Sequence, residues 1–194
     1  MKRVLLVMLM AAMSVRAEDA VKPGAAKSDT DKMMESYVEQ AKPVSEHQRL
    51  TELAGPWTMA TKYWSVPDAE PLASSGTGTG KMILGQRFLQ IDTDLEGAFP
   101  GQALWILGFD RRTSEYTMTG FDTHGTYAIT AAGAYDEAKK AVVLRGTYRQ
   151  PPANEEQTYY FLWTKPSTRE HLFTLYFPMG GQDVRVAETR YTRD

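Results

Sequence analysis

Between Gly80 and Leu95 the sequence reads GKMILGQRFLQIDTDL, and it leaves room for little besides two strands folded on each other. Lys81 to Leu84 rises to Gly85-Gln86, and Arg87 to Leu95 runs back with strict alternation. Arg87, Leu89, Ile91, Thr93 and Leu95 fall on one face, with Phe88, Gln90, Asp92 and Asp94 on the other. Successive side chains of an extended chain point to opposite faces, so period two marks a strand with one face buried. A glycine-containing connection between two such runs predicts a two-residue hairpin at Gly85-Gln86.

The same unit recurs along the chain. Trp57, Met59, Thr61 and Tyr63 alternate with Thr58, Ala60, Lys62 and Trp64. Further strands are predicted near 73–84, 87–95, 102–109, 115–122, 126–134, 141–149, 157–164, 170–177 and 184–192. Turn residues separate them at Asp110 to Thr113, Tyr135 to Lys139, Gln150 to Asn154 and Gly180-Gly181. Ten short strands with no helix-length periodic segment between them predict a sandwich or a barrel. Sequential hairpins favour the all-β, ten-stranded antiparallel up-and-down barrel, because closure removes exposed sheet edges. Gly76-Thr-Gly-Thr-Gly80 lacks the Lys-Ser/Thr ending and following helix of a phosphate loop, and reads as a strongly bent barrel strand.

Two short helices precede the strands. Thr30 to Lys42 places Met34, Tyr37, Val38 and Ala41 on one face, with Asp29 or Thr30 as cap and Pro43 as stop. It is expected on the surface or closing one end of the main body. Ser45 to Leu53 places Leu50 and Leu53 together, with Ser45 and Gln48 spaced as a capping box, and Gly55-Pro56 ends it before Trp57. Calycin-type barrels begin in this way, and the Trp usually plugs the closed end.

Met1 to Ala17, MKRVLLVMLMAAMSVRA, has a basic start, an apolar run from Val4 to Met13, and compact residues at Val15 and Ala17. That is the pattern of a secretory signal peptide cut after Ala17, and the apolar run is too short to span a bilayer. The expected organisation is a signal over 1–17, a disordered leader with the short helix over 18–44, and a barrel domain over 45–194, in a periplasmic or secreted protein. With no cysteine in the sequence there is neither a lipidated N-terminus nor a disulfide, so the fold rests on its core. The signal carries three of the 22 basic residues and none of the 24 acidic ones, which leaves a mature net charge of −5. That balance argues against nucleic acid or an anionic membrane as partner, and no stable membrane anchor is expected.

Six segments lie in fixed order across residues 46–194. They are Leu53-Ala-Gly-Pro-Trp57, Ser75-Gly-Thr-Gly78, Leu84-Gly-Gln-Arg-Phe-Leu-Gln90, Leu107-Gly-Phe-Asp110, Gly133-Ala-Tyr-Asp136 and Glu188-Thr-Arg-Tyr-Thr-Arg193. As an ordered set they resemble the bacterial family known as domain of unknown function 1579, which has no established activity. The resemblance implies a calycin-like barrel similar in outline to lipocalins, fatty-acid-binding proteins and nitrobindins, and offers only analogy for function. Two departures stand out. Members usually carry Trp near Gly120, so glycine there implies a widened cavity. They tend to carry Glu near Thr174, and its loss weakens any carboxylate pair with Glu188.

The chemistry-bearing residues leave several readings open. There is no Gly-x-Ser-x-Gly and no cysteine, and His47, His124 and His171 are far apart with no HExxH, so neither a hydrolase triad nor a metal site is announced. No cofactor is expected. The leading expectation is non-covalent binding of a small apolar molecule within an aromatic lining, drawn from Trp57, Tyr63, Trp105, Tyr116, Phe161, Trp163, Phe173 and Phe177, with Gly120 opening space. Arg190 or Arg87 would hold a ligand carboxylate bidentately; the alternative for Arg190 is an outer Arg-Glu pair. Three rivals remain: a calycin-like enzyme using Asp92, Asp122 or Glu188, a haem barrel ligated through His171, and a filled barrel that serves as an interaction module. For Asp92 and Asp94 the alternative is a solvated outer row; for His171 it is the exposed start of a strand.

Overall fold

The computed structural model describes residues 27–67, 69–150 and 155–194. The expected signal and most of the expected leader lie outside the described residues, as does the turn after Gln150. The chain divides into two units, one ending at Glu39 and one spanning Gln40–Asp194.

In the first unit the helix α1 (Asp29–Gln40) has no buried residue. Its cap is neither Asp29 nor Thr30 but Ser28. The Ser28 hydroxyl accepts the Asp31 N–H at 3.1 Å, and the Asp31 carboxylate accepts the Ser28 N–H at 3.1 Å. This is a reciprocal capping box that satisfies two N–H groups the helix start would leave unpaired.

The second unit is a barrel preceded by the one-and-a-half-turn helix α2 (Glu46–Thr51). The strands are β1 (Gly55–Tyr63), β2 (Leu72–Ile83), β3 (Phe88–Gly97), β4 (Gly101–Asp110), β5 (Glu115–Asp122), β6 (Ile129–Gly133), β7 (Tyr135–Asp136), β8 (Ala141–Gln150), β9 (Glu155–Ser167), β10 (Glu170–Met179) and β11 (Gln182–Thr192). Each pairs antiparallel with its successor, except that β6 and the two-residue β7 both pair with β8 and so act as one interrupted strand. β1 pairs with β11 from Thr58↔Thr192 to Tyr63↔Ala187 and closes the wall. The result is a ten-stave up-and-down barrel, as the alternation predicts. Among the described residues no helix is long and apolar enough to cross a membrane.

The alternation places the expected faces where it should. Trp57, Met59 and Thr61 of β1 and Leu89, Ile91 and Thr93 of β3 are buried, and Asp92 and Asp94 are exposed. The hairpin after β2 is longer than predicted. Four residues separate the strands, and Leu84, Gly85 and Gln86 all have positive φ (50°, 66°, 66°). Left-handed backbone is costly for Leu and Gln. Arg87 lies inside this turn and holds it: its guanidinium donates to the carbonyls of Leu84 and Gly85, and to Ala41 at 2.7 Å. Arg87 is therefore a brace for the turn and the incoming chain, and no part of the interior.

α2 closes one end of the barrel. Its expected capping box does not form, since Ser45 makes no side-chain cap bond. His47 replaces it, with Nδ1 accepting the Val44 N–H at 3.1 Å while the ring packs edge-on against Phe109. Leu50 and Leu53 are fully buried. Trp57 Nε1 donates to the Leu53 carbonyl at 2.8 Å, and the Arg193 guanidinium lies 4.3 Å over the indole while donating to the Ala54 carbonyl. A cation over an indole face is attracted by the ring quadrupole. The glycines of β2 make room for this plug: a Cβ at Gly80 would stand 2.1 Å from the Leu53 carbonyl, and one at Gly78 would stand 2.9 Å from Met59 Sδ.

Trp57 is thus a core residue at a junction of three elements. Trp57→Ala is expected to lower unfolding free energy by about 3–5 kcal/mol, the range for large aromatic truncations. Urea unfolding of the pair checks it, and a loss below about 1 kcal/mol would place the residue outside the energetic core.

Candidate ligand cavity at the open end

At the end away from α2 the barrel contains a cavity of about 270 Å³, lined by no residue of that helix. Its wall is mainly apolar, with Met59, Ile91, Leu107, Met118, Phe161 and Phe173 among the contributors. Inward positions of six staves supply these side chains, so register sets the shape and the ladders fix it. Thr93 and Thr189 add hydroxyls partway up the wall. Thr189 Oγ1 lies 3.1 Å from Thr61 Oγ1, and Thr93 Oγ1 donates to the Ala103 carbonyl at 3.3 Å.

The rim is polar and aromatic. Phe99, in the loop between β3 and β4, packs on the Tyr63 ring at 4.9 Å and stacks on His124 at 4.2 Å. Ser74 latches that loop across the mouth: its hydroxyl accepts the Phe99 N–H at 2.9 Å and donates to the Phe99 carbonyl at 3.1 Å. His124 Nε2 lies 2.9 Å from the Pro100 carbonyl, which can only accept, so this nitrogen carries the proton. Asp122 accepts the His124 backbone N–H at 2.8 Å and lines the cavity beneath it. Burial, and next the Asp122 charge, hold the Tyr63 phenol above its usual range.

Of the aromatic lining expected from sequence, Tyr63, Trp105, Phe161 and Phe173 line this cavity. Trp57, Tyr116 and Trp163 are buried near α2 instead, with Tyr116 donating to the Glu46 carbonyl and packing on Trp163. Phe177 packs on Tyr148 and Tyr159. Gly120 does not widen anything. It is the cross-strand partner of Trp105, whose ring lies over it so closely that a Cβ would stand 2.2 Å from the indole. The space beside Gly120 is filled from the neighbouring strand β4, by Trp105.

Arg190 lies on the outer face, ion-paired with Glu170. Glu188 is on the same face, 3.5 Å from Arg185 and cross-strand from Thr174, so a carboxylate at 174 would also face outward. Asp92 is outside, hydrogen-bonded by Gln90. Of the three acids considered for catalysis only Asp122 reaches the cavity, and the structure forms no carboxylate pair from them.

His171 is neither exposed nor in the cavity. It is fully buried at the closed end, edge-on to Trp57 at 5.3 Å. Trp163 Nε1, which can only donate, lies 3.1 Å from His171 Nδ1. The neutral ring therefore carries its proton on Nε2, and that atom has no hydrogen-bond partner among the described residues. Iron ligation at Nε2 would need the opposite tautomer, so the donor set does not fit haem. Among the described residues no cluster of three potential metal ligands occurs.

Phe99 and His124 also line the cavity, from loops that strand alternation does not reach. The sequence signal for Phe99 is its place in Gly97-Ala-Phe-Pro-Gly101, an aromatic held in a glycine-flanked turn. Ile91, Thr93 and Leu95 were legible from alternation alone.

Residues 42–193 match the family described as protein of unknown function (DUF1579). The chain belongs to that family. No curated protein matches it. The cavity of this DUF1579 member is therefore read on its own chemistry.

Two outcomes follow for the packing around this site. Gly120→Ala is expected to cost about 1–3 kcal/mol by overpacking against Trp105. In a Trp105→Ala background that cost should vanish, as a double-mutant cycle in urea would show. The second concerns His171, whose pKa is lowered to about 4 from 6.5, first by burial. Between those values the unfolded chain takes up a proton that the folded ring refuses. The contribution of neutral His171 is therefore complete above pH 6.5 and is lost as pH falls towards 4, up to about 3 kcal/mol. His47, also shifted down by burial, acts in the same sense. In His171→Gln the difference in stability between pH 7 and pH 4.5 should shrink by up to about that amount; an undiminished difference would place the titration elsewhere.

Proposed function

We propose that this protein binds a small, largely apolar molecule in the cavity at the open end of the barrel. The observation that carries the reading is a space of about 270 Å³ walled by methionine, isoleucine, leucine and aromatic side chains, with polar groups gathered at one end. Ligand sites have this composition: an apolar wall and a few placed polar groups. An empty apolar cavity forfeits dispersion contacts on every lining atom, and an apolar guest restores them. The polar mouth would orient such a guest and admit it past Phe99.

The basic start and apolar run of residues 1–17 support export, and binding would then take place in the periplasm or beyond. A binder there needs no cofactor.

The test is a titration with a neutral hydrophobic fluorescent probe. Saturable binding near one probe per chain is expected. Ala103→Trp, which adds a large ring to the cavity wall, should abolish binding and leave the circular dichroism spectrum unchanged. A wild-type protein that binds no probe would end the reading, as would an Ala103→Trp variant that binds equally well.

A further inference from the structure

Among the described residues the cavity lining contains no lysine and no arginine, and its single carboxylate is Asp122. That side chain sits at the last residue of β5, on the inward face shared with Tyr116, Met118 and Gly120. It is about three-quarters shielded, with a side-chain exposure of 26%. One carboxylate oxygen accepts the His124 N–H, and the other has no partner among the described residues. His124 offers little compensation. Its Nε2 proton points to the Pro100 carbonyl, and its Nδ1 lies 3.9 Å from the Asp122 oxygen with a lone pair in the neutral ring. Arg190 and Arg87, the cations with the chemistry to hold an acid, are committed elsewhere: Arg190 to Glu170 on the outer face, and Arg87 to the turn after β2. Arg185 lies over the Trp64 ring and beside Glu188.

A ligand lying in the apolar wall therefore meets an acceptor-only, negatively charged group where its polar end emerges. A carboxylate end group would bring a second negative charge into a partly desolvated rim with no cation to balance it. Coulomb repulsion is strong where water is scarce. A hydroxyl or ammonium end group would instead donate to the free Asp122 oxygen, and hydrogen bonds to an ionised acceptor are the stronger kind.

We propose that the cavity selects apolar molecules ending in a hydrogen-bond donor, an alcohol or an amine, and rejects carboxylates, with Asp122 at the mouth as the selecting residue. This rests on the binding reading above and names its ligand class. The fatty-acid analogy of similar barrels, which depends on an inward arginine, does not extend to this interior.

The experiment displaces a bound neutral fluorescent probe with octylamine, octan-1-ol or sodium octanoate at pH 7. The apolar chain is constant and only the end group changes. The amine and the alcohol should each displace the probe at concentrations at least about tenfold below octanoate, the order expected for one hydrogen bond to a charged acceptor. Asp122→Asn keeps an oxygen for the His124 N–H and so preserves the turn. In that variant the octanoate should gain and the amine should lose, closing most of the gap. Octanoate displacing the probe as readily as octanol in the wild type overturns the proposal, and so does an unchanged ranking in Asp122→Asn. Failure of the neutral probe to bind at all is seen before any competitor is added, and it removes the binding reading together with the ligand class. The wild-type ranking decides the matter even if the variant folds poorly.

Discussion

The pairing of β1 with β11 is the interaction on which the interior depends. Every other ladder in the wall joins segments that are neighbours in sequence and could form as a local hairpin. The β1–β11 ladder joins residues about 130 positions apart, such as Thr61 and Thr189. Without it the sheet would be an open meander with two bare edges, each a row of unpaired backbone groups open to other chains. With it, every inward side chain acquires a neighbour on the opposite wall, and an apolar face becomes a core. Closing so long a loop costs chain entropy that only the completed interior repays, so this ladder should be among the last to form. The plug is coupled to the same event. Arg193, one residue past β11, packs on Trp57 of β1 and bonds to the carbonyl of Ala54.

The two ends of the barrel solve the same geometric problem differently. Ten staves enclose more space than side chains from the wall fill unaided. At one end the extra space is taken by α2, Trp57, Trp163 and His171, and the buried polar atoms there are mostly paired by short bonds to backbone carbonyls or to one another. The Nε2 of His171, with no hydrogen-bond partner among the described residues, is the exception, and burial holds that ring neutral. At the other end no helix enters. The loops carrying Phe99 and His124 lean over the mouth, tied by Ser74, and the space below them stays open. A structure stable at one end can afford an unfilled cavity at the other, which is how a binding site and a core coexist in one small barrel.

The strands were legible because period two is a direct consequence of extended backbone, and nearly every inward residue of β1, β3 and β5 follows it. What alternation does not carry is height along the barrel axis. Trp57 and Tyr63 share a face, yet one lies against the plug and the other lies at the mouth; Tyr116 and Asp122 divide in the same way. Height depends on the stagger between strands, which follows from hydrogen-bond register and not from local pattern. Alternation also fails where the ladder slips. The pairing of β10 with β11 shifts between Leu175 and Tyr176, passing from Ala187 to Arg185 and leaving Val186 unmatched. That bulge breaks the alternation along β11, so Arg185 and Glu188, three residues apart, lie on one face within 3.5 Å. Gly120 shows a third limit. A glycine records only that its own side chain is absent, and whether the space is empty depends on a neighbour, here Trp105, that sequence proximity does not name.

Charge placement separates the site from the rest of the interior. The carboxylates of Asp92 and Asp94 stand exposed on the outer face, where solvent screens them at little cost, and Glu188, more shielded on that face, is paired with Arg185. Asp122 alone among them stands on an inward face, although its neighbour Phe121 is turned out to solvent and is nearly half exposed. Exchanging the two would place the aromatic ring inside and the carboxylate outside, as the hydrophobic effect alone would prefer. An arrangement that turns a phenylalanine out and an aspartate in sacrifices stability at that position. Such a reversal is intelligible where the inward carboxylate has something to hold, and Asp122 is the one carboxylate among the described residues that lines the cavity.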